Sequence, residues 1–232
     1  NEFDQSLAKR KAIYIPFPQA VPLKYVRDVN HCLKITEKLD CKGCLNICEA
    51  KAILAEDRVR EEELEVGSVV VAGGYELFDP SIQYELGYTR SPNVVTSLEF
   101  ERILSASGPF QGTLLRPSDL TPPRKIAFIQ CVGSRDNKSP YCSSVCCTYA
   151  VKEAMVAKEH ATAPLEETIF FMDMRTYGKD FDKFYNRAQK EYGIRFIRSK
   201  VFEVEEKDGT GNLSIKYFTE DNRLLSEEFN LV

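Results

Sequence analysis

Lys125-Ile-Ala-Phe-Ile-Gln-Cys-Val-Gly-Ser-Arg-Asp-Asn-Lys-Ser-Pro-Tyr-Cys-Ser-Ser-Val-Cys-Cys147 decides how this chain is read. Ile126 to Gln130 is an apolar run of strand length. A polar, glycine-containing loop follows, and the pattern predicts a helix from about Tyr141 to His160. A strand, a tight turn and a helix are the opening of a βαβ unit, in which that turn carries a ligand. Here the turn carries Cys131, and the helix start carries Cys142, Cys146 and Cys147, spaced C-x10-C-x3-CC.

The pattern continues outward. Thr168 to Asp173 reads as a second strand. Phe181, Phe184, Tyr185 and Ala188 recur at helical spacing within 180–192, and Gly193 caps that helix. Ile194 to Ile197 is a third strand. Lys200–Glu206, Leu213–Thr219 and Leu224–Phe229 read as antiparallel strands, the first two joined at Gly209-Thr-Gly211. The predicted class is α/β: a doubly wound nucleotide-like domain with a β-meander, as in two-dinucleotide flavoproteins. The usual G-x-G-x-x-G is missing from the first turn, so tight NAD(P) binding is not expected. Cys142 and Cys146 would share one helix face while Cys147 lies about 100° round. A distorted first turn or a strained ligand is therefore expected.

Upstream, Thr96 or Ser97 caps a short helix to Ser105. Residues 111–124, with Pro117, Pro122 and Pro123, read as a connection. Gly67-Ser-Val-Val-Val-Ala-Gly-Gly74 reads as a buried strand, Ser68 to Ala72, meeting a glycine turn. Nearer the start, Ala12 to Pro22 is proline-rich and extended. The other four cysteines follow: Cys32, Cys41, Cys44 and Cys48, spaced C-x8-C-x2-C-x3-C.

All eight cysteines thus fall into two quartets. Four gathered thiolates suit an iron–sulfur cluster. Disulfides belong to small secreted domains, and this chain has 232 residues with enough apolar content for an ordinary core. Structural zinc is the rival, but it favours paired C-x2-C hooks; only Cys41 and Cys44 form one, and adjacent Cys146 and Cys147 fit awkwardly round one ion. The first quartet resembles half of a bacterial ferredoxin run, with Glu49 where proline is usual. His31 and His160 are the only histidines, and neither sits in a catalytic pattern. Glu61-Glu-Glu63 is most simply a solvated face. Net charge is −4, which suggests no nucleic-acid surface, and no apolar run is long enough to span a membrane. Without an initiator methionine, the chain reads as an internal piece of a longer polypeptide.

Phe128-Ile-Gln-Cys-Val-Gly-Ser-Arg-Asp136 with Tyr141-Cys-Ser-Ser-Val-Cys-Cys-Thr-Tyr-Ala150 resembles the large flavin-containing chain of heterodisulfide reductase, its A subunit, and the relatives of that chain in sulfate reducers. Ile13 to Pro22, Val69 to Gly74 and Leu77-Phe-Asp-Pro80 are also similar to that family. The resemblance implies a cytoplasmic, FAD- and iron–sulfur-dependent oxidoreductase component of thioredoxin-reductase-like fold with a ferredoxin-like insertion. It implies [4Fe-4S] clusters on both quartets, Gly73 and Gly74 beside FAD, and Lys152 near the flavin ring as the catalytic candidate. A solvated helix lysine is the plain alternative for Lys152. Implied partners are the other subunits of the complex, with a donor such as a hydrogenase, ferredoxin or formate dehydrogenase. The implied division is 1–57 insertion, 58–120 partial flavin domain and linker, and 121–232 nucleotide-like domain. The flavin-binding G-x-G-x-x-G of full-length relatives is absent, so the piece alone is expected neither to retain FAD nor to be active. A non-catalytic, zinc-bearing interaction module is the alternative function.

Overall fold

The computed structural model describes residues 4–54 and 61–232. The expected boundary at 57/58 lies outside them. The chain divides into two compact units, one of Lys9–Leu77 and one of Phe78–Val232 joined by the N-terminal residues up to Ala8. Residues 78–120 fall in the larger unit.

In the smaller unit, β1 (Ile13–Tyr14) and β2 (Val26–Arg27) pair antiparallel. Two single-turn helices follow, α1 (Leu33–Thr36) and α2 (Gly43–Ile47). The expected strand at 68–72 is absent. Val70 is 90% exposed, and Val69 and Val71 are nearly as open. A strand exists only where a neighbour completes its ladder, and no described segment pairs with this one.

In the larger unit, α3 (Ser97–Leu104) starts at a capping box: the Thr96 hydroxyl accepts from the Glu99 amide at 3.3 Å, and the Glu99 carboxylate accepts from the Thr96 amide at 2.5 Å. Then come β3 (Lys125–Ile129), α4 (Cys146–His160), β4 (Glu166–Phe171), α5 (Phe181–Lys190) and β5 (Arg195–Arg198). The three strands are parallel, in the order β3-β4-β5. A meander of β6 (Val201–Glu206), β7 (Leu213–Phe218) and β8 (Leu224–Phe229) follows.

Alternate residues of the central strand decide the layers. Ile169 packs with Val151 and Ala154 of α4 and Ala188 of α5. Phe170 points to the other face and packs with Leu213, Ile215, Tyr217 and Phe229 of the meander. Both crossover helices therefore cover one face and the meander covers the other. The doubly wound expectation calls for helices on both faces of a sheet; the two described crossover helices occupy one. Two successive right-handed crossovers that step the same way along a sheet must leave both helices on one side.

After β8 the chain enters the sheet beside β3. Ala127 N–H donates to Leu231 O at 3.0 Å, and Asn230 N–H donates to Lys125 O at 2.7 Å. Val232 in turn exchanges bonds with Asn93 and Val95 at 2.9 and 2.8 Å. The order of strands thus reverses between β3 and Leu231, with β3, β4 and β5 running away on one side. Open α/β sheets bind ligands at the carboxyl end of such a reversal.

Candidate metal and electron-transfer site

Cys131 is the second residue after β3, at that reversal. Its backbone is left-handed, with φ +63°, and so are Gly133 at +67°, Arg135 at +60° and Ser144 at +65°. Left-handed non-glycine residues are uncommon, and a cluster of them marks a loop bent by its surroundings. The loop holds its shape through its own bonds. Arg135 N–H donates to Tyr141 O at 3.1 Å. Asp136 Oδ1 accepts from the amides of Lys138 and Ser139 at 2.8 and 2.7 Å, and these bonds, Ser139 first, lower its pKa.

Gly133 has a further role. The Phe78 ring lies against it, and a Cβ at this position would overlap the ring. Gly133→Ala should therefore lower stability by about 1–3 kcal/mol, through both the left-handed backbone and the clash. Chemical denaturation of the two proteins would show it as a shifted midpoint; an unchanged midpoint would contradict this packing.

The helix start differs from expectation. α4 begins at Cys146, with Val145 as its flanking residue, not near Tyr141. Ser144 turns left-handed, and its amide donates to the Cys142 sulfur at 3.4 Å. Cys142 is thus on the loop and shares no helical face with Cys146. The expected distortion takes the form of a later start, which frees Cys142 from the helical constraint.

Cys146 and Cys147 interact directly. The Cys147 thiol donates to the Cys146 sulfur and, with help from Ser143, draws the Cys146 pKa down to about 6. The same bond, burial and the nearby Cys146 and Cys131 charges push Cys147 upward. Cys147 is 3% exposed, and the other three are half-buried. The structure therefore brings Cys131, Cys146 and Cys147 within electrostatic reach of one another.

The first quartet lies in the smaller unit. Cys32 flanks the start of α1, Cys44 is inside α2 and Cys48 ends it. The Cys48 sulfur accepts from the Ala52 amide at 3.4 Å. No helix follows at Glu49 to Leu54. His31 Nδ1 and Arg10 both meet Asp28 Oδ2 at 2.9 Å, and these bonds, His31 foremost, lower the Asp28 pKa. All eight cysteines are free. Among the described residues no three His, Cys, Asp or Glu side chains are arranged to hold one metal ion.

Lys152 is exposed on α4, beside the buried Val151, Ala154 and Met155. Gly73 and Gly74 are exposed in the smaller unit with open space about their Cα atoms, and Gly74 has φ +71°. Asp173 and Arg175, just beyond β4, carry no signal in the sequence that would single them out. The Arg175 backbone amide faces the Cys147 sulfur and favours its thiolate. No spacing links these residues to the cysteines; the parallel pairing of β3 and β4 brings them there.

No protein-family model matches the chain. Individual relatives do. The A subunit of the H(2):CoB-CoM heterodisulfide,ferredoxin reductase of Methanothermobacter marburgensis is 44% identical over 226 residues, 97% of this chain and 33% of its own length. The second iron-sulfur A subunit of the CoB–CoM heterodisulfide reductase of Methanopyrus kandleri is 45% identical over 237 residues, covering 100% of this chain and 35% of its own length. Over nearly its whole length this sequence is similar to heterodisulfide reductase A subunits. The corresponding iron-sulfur A subunit of Methanocaldococcus jannaschii is 42% identical over 218 residues, 93% of this chain and 32% of its own length. The chain therefore spans about a third of the length of these curated relatives. Among the described residues no helix is long and apolar enough to cross a membrane.

Proposed function

We propose that this chain is the part of a heterodisulfide-reductase-type A subunit that carries two [4Fe-4S] clusters and passes electrons between them and FAD. The observation that carries the reading is the second quartet: free cysteines, three within electrostatic reach, at the carboxyl end of β3 where the strand order reverses. The donor set fits the group. It is all sulfur, which suits iron–sulfur chemistry. It includes Cys146, whose pKa is drawn down by the Cys147 thiol, which favours a thiolate there. The names of two of the relatives include the words iron-sulfur subunit, in support of the same reading.

Cys131, Cys142, Cys146 and Cys147 would hold one cluster, and Cys32, Cys41, Cys44 and Cys48 the other. Clusters, where bound, would supply one-electron chemistry, and FAD two-electron chemistry. This chain's residues bind the iron and exclude water: Cys147 is buried, and the Phe78 ring covers the turn at Gly133. That ring also lies against the turn whose backbone a dinucleotide site would need open to the pyrophosphate, which supports weak NAD(P) binding. In the whole protein, Gly73 and Gly74 would border FAD, and Lys152 would place a cation near its ring. The thioredoxin-reductase-like assignment of the whole fold belongs to this reading, with the β-meander as its support. Partners would be the remaining subunits of the complex, with a donor such as a hydrogenase, ferredoxin or formate dehydrogenase, in the cytoplasm. The names of relatives include ferredoxin, H(2) and formate.

Purification without oxygen, with iron and sulfide analysis and electron paramagnetic resonance, is the test. The native protein should be brown, with iron and sulfide in near-equal amounts. Cys146→Ser should lose about half of both, because one of two quartets is broken. A colourless, zinc-loaded protein would overturn the reading.

A further inference from the structure

The segment leaving β4 is joined to the cysteine loop through one carboxylate. Arg135, four residues after Cys131, donates from Nη1 to Asp173 Oδ1. Arg175 Nε donates to the second oxygen, Asp173 Oδ2, at 2.7 Å. Asp173 thus uses both oxygens and bridges two guanidinium groups that come from different segments. Arg135 is held in a left-handed conformation, and its own amide closes the loop onto Tyr141 O at 3.1 Å. On the other side, Arg198 Nε donates to Met172 O at 3.0 Å and ties the same segment to β5. The three side chains are 22–40% exposed. Pairs of that exposure add little to global stability. Their value lies in fixing a position.

We propose that Asp173 is a positioning residue for the second cysteine group, holding the Cys131 loop through Arg135 and tying it to the segment that leaves β4 through Arg175. The inference rests on the reading of that group as a cluster site. Hydrogen bonds to ligand sulfurs withdraw charge, favour the reduced cluster and raise its potential. Groups that orient ligands commonly change metal affinity by roughly 10- to 100-fold when removed. Asp173 makes no contact with a cysteine; it acts through its two arginines.

The test uses the intact chain prepared without oxygen, with the first quartet as an internal reference. In Asp173→Asn the arginine forks lose their charged acceptor. The reduction potential of the second centre, followed by electron paramagnetic resonance, should shift away from its native value. Iron loss from that centre to a chelator should speed up by roughly tenfold or more. The first centre should keep its native values, and Asp173→Glu should recover much of the effect. If Asp173→Asn does not fold, Arg135→Gln removes one arm of the bridge and should shift both readouts the same way by less. Native potential and native iron-loss rate in a folded variant would overturn the proposal. If native protein and Cys146→Ser hold equal iron, the cluster reading itself fails and takes this inference with it.

Discussion

Phe170→Ala is expected to cost about 3–5 kcal/mol, the range for emptying an aromatic from a well-packed core. Phe170 is 1% exposed in the central strand β4. Its ring stands 4.9 Å from Tyr217 and 6.0 Å from Phe229, centre to centre, and Ala127 and Val204 complete the cluster. This side chain joins the parallel sheet to the meander, so truncation opens a cavity at the junction of the two layers. The neighbours sit on hydrogen-bonded strands and cannot collapse into the gap. Aromatic pairing adds about 0.5–1.5 kcal/mol that alanine cannot recover. Denaturant unfolding should show the loss in full. A cost below about 1 kcal/mol would mean that the two layers are not packed as described. The same variant should disturb the second cysteine group, because β4 leads into Asp173.

The second large effect is one of pH. Glu167 is 1% exposed, one residue into β4, and neither carboxylate oxygen has a hydrogen-bond partner. It lies on the same strand face as Ile169, toward α4 and α5. Burial pushes its pKa up to about 8, opposed only in part by Lys158. Lys158 does not reach it with a hydrogen bond; its ammonium donates to Leu165 O at 2.7 Å. The sign follows from linkage. The unfolded carboxyl ionises near 4.5, whereas the folded one keeps its proton to about 8. Between those values the folded state binds the extra proton, so stability falls as pH rises and the loss is complete above about 8. Its size is on the order of 2–4 kcal/mol.

Glu167→Met keeps the volume and removes the charge. At pH 8 it should stabilise the protein by about 1–3 kcal/mol, or several degrees in Tm. At pH 5 the two proteins should differ much less. Glu153, in α4, has its pKa raised to about 8 by burial and by Glu101, so it adds a slope of the same sign. Both proteins share that term, and subtracting their melting curves isolates Glu167. A stability gap that does not widen between pH 5 and pH 8 would exclude an unpaired buried carboxyl here.

Much of this molecule was written in local chemistry. Thr96 and Glu99 form their capping box within four residues. Apolar runs of five or six residues became β3 and β4, and Phe181 to Ala188 became α5, because side-chain period and backbone period coincide there. The hairpin glycines at 209 and 211 have positive φ, as their turn requires. The cysteine quartets, and hence the proposed cofactor chemistry, are visible in spacing alone.

Other features came from contacts far apart in the chain. Val69 to Val71 has every local mark of a strand yet pairs with nothing described, because a ladder needs a second segment. α4 starts at Cys146 because Ser144 turns left-handed and its amide meets the Cys142 sulfur; helical periodicity carries no sign of that. Both crossover helices share a face because β3, β4 and β5 step in one direction, which is a property of order and not of any one strand. Asp173 meets Arg135 across 38 residues, and Glu167 is buried only once α4 and α5 close over its side of β4. Residue type and period set the elements and the cysteine quartets. Strand order and packing set which polar groups were drawn together and which carboxyl was left without a partner.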